Sequence, residues 1–181
     1  MEKMNDLKAL LKHDVQMIHS AEEQLVKAMP AMIARATNPA LKQSLEEHLR
    51  VTENQLKRID RVRETLGVDN SSVTKYTGIL AQIMGGTKCK GMEGLIEEGQ
   101  KIMAENLEDE VMDAAIIAGN QKIEHFEIAS YGTARTYAEQ LGLTEVAQLL
   151  EQTLDEEKMA DELLTSLAVT SVNLQAEIGG R

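Results

Sequence analysis

Residues 116–138 read IIAGNQKIEHFEIASYGTARTYA, a stretch without proline in which apolar and small residues recur every three or four positions. An α-helix advances about 100° per residue, so positions with this spacing lie on one face. Two acids, Glu124 and Glu127, fall on that face, whereas His125 falls on the opposite, polar face. The stretch therefore predicts a long helix that directs carboxylates into a protein core. The inward face consists of Ile116, Asn120, Glu124, Glu127, Tyr131, Ala134 and Ala138.

Two further helical stretches carry acids on their apolar faces. Glu22 interrupts the apolar face of the N-terminal stretch between Ile18 and Leu25. Glu157 and Asp161 lie on the apolar face of the C-terminal stretch. The chain has two predicted tight turns between long helices. At a rise of ~1.5 Å per residue, each of the five acids lies roughly 22–28 Å from the nearer of these turns. Three helices are therefore predicted to bring their acids to one level of a bundle.

The rest of the chain indicates an all-α fold with four long helices. Gly67 and Gly142 are typical helix ends, and Thr144 is a typical N-cap. Two helix pairs separated by about 40 residues suit a ferritin-like four-helix bundle with a long helical crossover, or an up-down bundle with an inserted helical lid. We expect one domain over residues 1–178, with long helices at about 3–36, 40–66, 108–141 and 144–170, and a crossover at 68–106 containing short helices near 73–84 and 91–106.

Composition and charge argue against several classes of partner. The 181 residues carry a formal net charge of −11, and binding to nucleic acid or to an anionic membrane needs clustered Lys and Arg. No apolar run reaches the roughly 20 residues that a membrane span needs, and the N-terminus lacks the apolar region of a secretory signal. Cys89 is the single cysteine and is expected to be an exposed thiol in the crossover. A cytoplasmic protein is expected.

The inward acids require a counter-charge that the helices do not supply. The predicted inner faces carry no Lys or Arg. An unpaired buried carboxylate costs several kcal/mol, or its pKa shifts until it is neutral. Oxygen-rich sites bind iron, manganese or zinc, and bridging carboxylates hold two ions at once. We therefore predict a dinuclear metal site, with a hydrated polar core that binds no metal as the alternative.

The second long helix offers no acid at the centre of its apolar face. Thr52 occupies the corresponding position, and Glu53 lies about 90° to the side, so that it reaches inward only from the flank. His48 is interpreted as a hydrogen-bonded core histidine, because it lies about a turn away from the acids. His19 flanks Glu22 and is a weaker ligand candidate. The Glu-x-x-His pattern of ferritin-like metal proteins is absent from the long helices.

Short motifs along nearly the whole chain match those of a known family. The two most specific are EHFEIASYG at 124–132 and LDEEKMAD at 154–161. They are accompanied by AEEQL at 21–25, NPALK at 38–42, HL at 48–49 with Thr52 and Gln55, and MEGLIEEG at 92–99. In these motifs the chain resembles the YciE/YciF family of bacterial ferritin-like stress proteins.

The resemblance implies a ferritin-like bundle, usually a homodimer, with a rubrerythrin-like dinuclear site and a link to stress response. Family members often have an acid at position 50 or 51, where this chain has Arg50 and Val51, so Glu53 is the best remaining ligand on the second helix. By position in the motifs, the other metal-ligand candidates are Glu22, Glu124, Glu127, Glu157 and Asp161.

Two functions are consistent with these features. The first is a dinuclear iron or manganese centre inside the bundle that reacts with O2 or peroxide. The alternative is a non-enzymatic, dimeric stress or scaffold protein whose metal site is degenerate or empty.

Overall fold

The computed structural model describes residues 5–68 and 88–179, and nearly all of them are helical. Four long helices are present, as the sequence predicts, and the short helix near 91–106 is also found. The short helix expected near 73–84 lies outside the described residues. The helices are α1 (Leu7–Arg35), α2 (Pro39–Thr65), α3 (Lys90–Met103), α4 (Asp109–Gln140) and α5 (Thr144–Leu167), followed by a π-helical turn at Ala168–Val172 and α6 (Asn173–Gly179).

Contacts between the long helices distinguish the two possible topologies. α1 packs on α2 and α4, and α5 packs on α4 and α2, so that α2 and α4 lie on a diagonal of the bundle. The connection from α2 to α4 therefore crosses the bundle instead of joining neighbouring helices. This arrangement confirms the ferritin-like topology over the up-down bundle with an inserted lid.

Asp113, near the start of α4, holds the turn between α1 and α2. Its carboxylate accepts hydrogen bonds from the backbone N–H groups of Thr37 (2.8 Å) and Asn38 (2.7 Å) and from Thr37 Oγ1 (2.7 Å). Asn38 caps α2, because its Oδ1 accepts from the N–H groups of Ala40 (3.0 Å) and Leu41 (3.2 Å). This turn lies beside the start of α4, so the turn that follows α4 is at the opposite end of the bundle.

Gly142 makes the second tight turn, between α4 and α5. Its φ of +69° is in the left-handed region that favours glycine. The N–H of Leu143 donates to the carbonyl of Ala138 at 2.9 Å and so satisfies one of the last carbonyls of α4. Thr144 is the first residue of α5 and Leu143 occupies the N-cap position, so the expectation that Thr144 caps the helix is wrong by one residue. No side chain caps the start of α5.

Apolar clusters fill both ends of the bundle and leave a polar layer between them. One cluster surrounds Leu11 and Ala138, and the other surrounds Leu41 and Met112. A third cluster lies beneath α3, which packs on α1 and α4 and covers that side of the bundle. Within the described ranges, no helix is both long and apolar enough to cross a membrane.

The expectation of an exposed thiol at Cys89 is wrong. Cys89 is 5% exposed and belongs to the cluster beneath α3. Two hydrogen bonds hold its backbone against α1: Gln24 Nε2 donates to the Cys89 carbonyl (3.1 Å), and the Cys89 N–H donates to Ser20 Oγ (3.0 Å). These contacts dock the residue before α3 onto the bundle and bury the sulfur.

Candidate metal centre

Four glutamates from three helices extend into the polar layer. Glu22 comes from α1, Glu124 and Glu127 from α4 and Glu157 from α5, and none of them is more than 2% exposed. The sequence predicts their common level by counting from the two turns, although these turns lie at opposite ends of the bundle. The level is still shared, because each glutamate lies near the middle of its helix.

These carboxylates lack the partners that buried charges need. Both oxygens of Glu124, Glu127 and Glu157, and Oε2 of Glu22, are buried without a hydrogen-bond partner in the part of the chain that the structure describes. Among the described ion pairs, the one that reaches any of the four comes from His48. Because an unpaired buried carboxylate is costly, the layer must take up protons or cations.

His48 brings the fourth long helix, α2, into the layer. Its Nε2 lies 3.1 Å from Glu124 Oε1, and its side chain is 11% exposed. Three residues, His48, Glu124 and Glu157, each offer one ligand atom. These three atoms lie within 4.8 Å of one another, which suits a single metal ion. The sequence places His48 about a turn from the acids, whereas the structure brings it into contact with them. The sequence contained one signal for this position of His48. It precedes Thr52 by four residues, so both lie on the same face of α2, and Thr52 is buried.

Burial changes the protonation of the whole layer. Loss of hydration, partly offset by a hydrogen bond from Tyr131, raises the pKa of Glu22 to about 7. Burial, followed by repulsion from neighbouring glutamates, raises the pKa of Glu127 and of Glu157 well above the usual range. For His48, burial lowers the pKa, but the nearby carboxylates outweigh it and the pKa is raised. Without a metal the layer therefore retains protons near neutral pH, and a cation that binds must displace them.

Tyr131 and His19 define the surroundings of Glu22. The Tyr131 hydroxyl donates a hydrogen bond to Glu22 Oε1, and its ring is 1% exposed in the neighbouring apolar cluster. Burial and the adjacent Glu22 raise the pKa of Tyr131 well above its usual value, so it remains a proton donor. His19 does not face the layer, because its Nε2 pairs with Asp60 at 3.1 Å. One oxygen of Glu22 is thus fixed and the other remains available.

The structure does not bring the other two predicted ligands into the layer. Asp161 is 20% exposed, and its Oδ1 lies 3.3 Å from Gln121 Nε2 and 3.4 Å from Nε2 of the exposed His125. A step of four residues advances about 40° beyond a full turn, which rotates Asp161 from the direction of Glu157 towards the surface. Glu53 is exposed on α2, as its position beside the apolar face allows.

Comparison with known proteins finds relatives over nearly the full length of the chain. Residues 6–177 match a family model described as a domain of unknown function, DUF892. The chain is 44% identical over 175 residues to the protein YciF of Escherichia coli K12, covering 96% of this chain and 97% of that protein.

Solved structures show the same fold. The crystal structure of the E. coli stress protein YciF matches with a TM-score of 0.80 and 40% identity, covering 94% of this chain and 99% of that chain. YcfI of Rhodopseudomonas palustris, a proposed structural protein, matches with a TM-score of 0.79 and 36% identity over 91% of this chain and 96% of that one. A protein of Xanthomonas campestris matches with a TM-score of 0.70 at 22% identity, which supports the fold alone.

Proposed function

Because the chain belongs to the DUF892 family, we propose that it is a ferritin-like stress-response protein with a dinuclear iron or manganese centre inside its helix bundle. The similarity to a stress protein supports the first part of this proposal. The second part depends on one observation, the set of buried carboxylate oxygens without partners. Protons satisfy such oxygens poorly when several lie together, whereas divalent and trivalent cations satisfy them all at once.

The residues of the polar layer fit such a centre. His48, Glu124 and Glu157 provide one nitrogen and at least two oxygens for a first ion. Glu22 and Glu127 would provide further free oxygens for a second ion. Imidazole combined with carboxylates suits iron and manganese.

When bound, a pair of such ions would supply one-electron steps for reaction with O2 or peroxide. The chain itself controls protons and water around that position. The Tyr131 hydroxyl donates a hydrogen bond to Glu22 and so favours its ionised form, and the apolar clusters at both ends of the bundle keep water out of the layer. α3 covers the side formed by α1 and α4.

Elemental analysis tests the proposal directly. Protein purified without chelator, and again after anaerobic loading with ferrous iron, should carry two metal ions per chain. Glu127→Ala should lose most of this metal, because it removes two free oxygens, whereas Glu53→Ala should keep it, because Glu53 is exposed. Absence of bound metal under both conditions would exclude the centre.

A non-enzymatic, dimeric stress or scaffold protein is the second candidate. Two observations favour it: α2 contributes His48 and no acid to the layer, and one relative is described as a proposed structural protein. A scaffold should keep its cellular phenotype in Glu127→Ala, whereas a metal protein should lose it. We also infer a cytoplasmic homodimer, which fractionation and a sizing column test; the mass of a large storage shell would contradict the dimer.

A further inference from the structure

A groove between α2 and α5 enters the bundle on the side away from α3. Its volume is about 180 Å³, and its walls are mostly apolar. Leu45 and Val51 line it from α2, and Ala160 and Leu164 line it from α5. The small side chain of Ala160 leaves space that a larger residue would fill.

The groove connects the surface to the polar layer. At its outer part, Met159 and Leu163 are 60% and 49% exposed. At its inner part it reaches His48 and Glu124, and Glu124 is completely buried. A molecule in this groove would therefore place one end against the candidate metal centre.

We propose that the groove binds a small, uncharged molecule of about the size of phenol, with an apolar body and a hydroxyl group directed at Glu124 and His48. The inference names the class of molecule on which the proposed centre would act, and in that respect it rests on the proposed function. Binding itself requires no metal, so the two proposals can be tested separately.

The size and lining of the groove support this class of ligand. An engineered apolar cavity of roughly 150 Å³ binds benzene, so a cavity of 180 Å³ accommodates one ring with a small substituent. Transfer of the ring from water to the aliphatic walls supplies the attraction. A ligand with a longer polar chain would leave its polar groups without partners against Leu45 and Leu164.

The charges around the groove favour a neutral molecule with a hydrogen-bond donor. Two acids line it besides Glu124, and both are paired: Glu47 with Arg50 at 2.5 Å, and Glu156 with Arg58 at 2.7 Å. They are therefore neutralised and do not select a charged ligand. Oε1 of Glu124 lies 3.1 Å from His48 Nε2, whereas Oε2 has no hydrogen-bond donor within the described residues, so a hydroxyl group would satisfy Oε2.

Calorimetric titration of the metal-free protein with phenol tests the inference. We expect saturable binding at one site per chain. Toluene, which has a similar size but no donor, should bind about threefold to tenfold more weakly, as loss of one hydrogen bond predicts. Benzoate should not bind, because its charge would be buried against Glu124 without compensation.

Two controls locate the site. Ala160→Leu fills the groove and should weaken phenol binding by about tenfold or more, whereas Ala129→Leu, at an exposed position of α4, should not change it. In the unmodified chain, the methyl NMR signal of Met159 should move on titration, while that of Met112, in an end cluster, should stay.

Absence of saturable phenol binding, or equal binding to Ala160→Leu and the unmodified chain, would overturn the inference. If phenol binds in the groove but no metal is taken up, the groove stands and the metal centre fails. If metal is taken up but phenol does not bind, the metal centre stands and the inference about the groove fails.

Discussion

Glu127 shows at the scale of one residue why the polar layer is unusual. The side chain is 2% exposed, and neither carboxylate oxygen has a hydrogen-bond partner among the described residues. Burying such a group opposes folding, and a leucine of similar volume would fill the same space at lower cost. The glutamate therefore contributes to something other than the stability of the metal-free bundle.

Glu127→Leu should stabilise the metal-free protein. At pH 8 we expect the free energy of unfolding, measured by urea denaturation, to rise by roughly 1–3 kcal/mol, because the costly carboxylate is removed. Glu53→Leu, at an exposed position of α2, serves as the control and should change the value by less than about 0.5 kcal/mol. A large loss of stability in Glu127→Leu would show that the carboxylate has a stabilising partner.

Tyr131→Phe should destabilise the metal-free protein. The substitution removes the hydroxyl that donates to Glu22 Oε1 and leaves that buried oxygen without a donor, at a cost of roughly 1–3 kcal/mol. Tyr137→Phe is the matched control, because Tyr137 lies on the same helix, α4, at a partly buried position. Equal urea midpoints for the two variants would argue against a structural role for this hydrogen bond.

Much of the layer could be predicted from single positions. The helical period alone places Glu22, Glu124, Glu127 and Glu157 inward, and the structure buries all four. The period resolves direction only to within tens of degrees, so it does not separate Asp161, at the edge of the bundle, from the buried acids. His48 was predicted as a hydrogen-bonded core histidine and not as a ligand, because its contact with Glu124 depends on how α2 and α4 face each other across the bundle, which a single helix does not reveal.

At the scale of helices, turn residues account for the bounds of the elements but not for their arrangement. Asn38 caps α2 and Gly142 forms the turn between α4 and α5, so one residue accounts for each of the two tight turns. A crossed and an uncrossed connection require the same helices with the same ends, so the sequence leaves both open. Only the contacts show that α2 and α4 lie diagonally.

Asp113→Ala should loosen the end of the bundle where α1, α2 and α4 meet. The buried carboxylate accepts three hydrogen bonds from Thr37 and Asn38, and its loss should lower the free energy of unfolding by roughly 2–4 kcal/mol. Asp109→Ala, one turn earlier on α4, removes an exposed ion pair with Arg35 and should cost less than about 1 kcal/mol. Similar losses in the two variants would contradict the assigned role of Asp113.

At the scale of the whole molecule, stability should depend on pH in opposite ways with and without metal. The pKa of Glu22 rises from 4.5 to about 7 on folding, and those of Glu127, Glu157 and His48 rise as well. A group whose pKa is higher in the folded state stabilises the fold at any pH below its unfolded-state pKa. This contribution is lost as the pH rises through its folded-state pKa. Burial lowers the pKa of His19, which acts in the opposite direction.

The metal-free protein should therefore become less stable between about pH 5 and pH 8, and the shift of Glu22 alone corresponds to roughly 3 kcal/mol. With saturating Mn²⁺ the slope should reverse, because the ion binds the deprotonated ligands. Urea denaturation over this pH range, with EDTA or with Mn²⁺, measures both slopes. Metal-free protein whose stability rises across this range would contradict the assignment of raised pKa values.

The apolar clusters at both ends of the bundle also affect how fast a bound ion could exchange. In the described part of the chain these clusters close the bundle axis and α3 closes one side, so the seam between α2 and α5 is the shortest route out. Escape would then pass through the groove at that seam, whose mostly apolar walls disfavour entry of a highly charged chelator. The lifetime of the loaded protein in excess chelator should accordingly be independent of chelator concentration, so that the bundle retains its ion kinetically even where equilibrium affinity is modest.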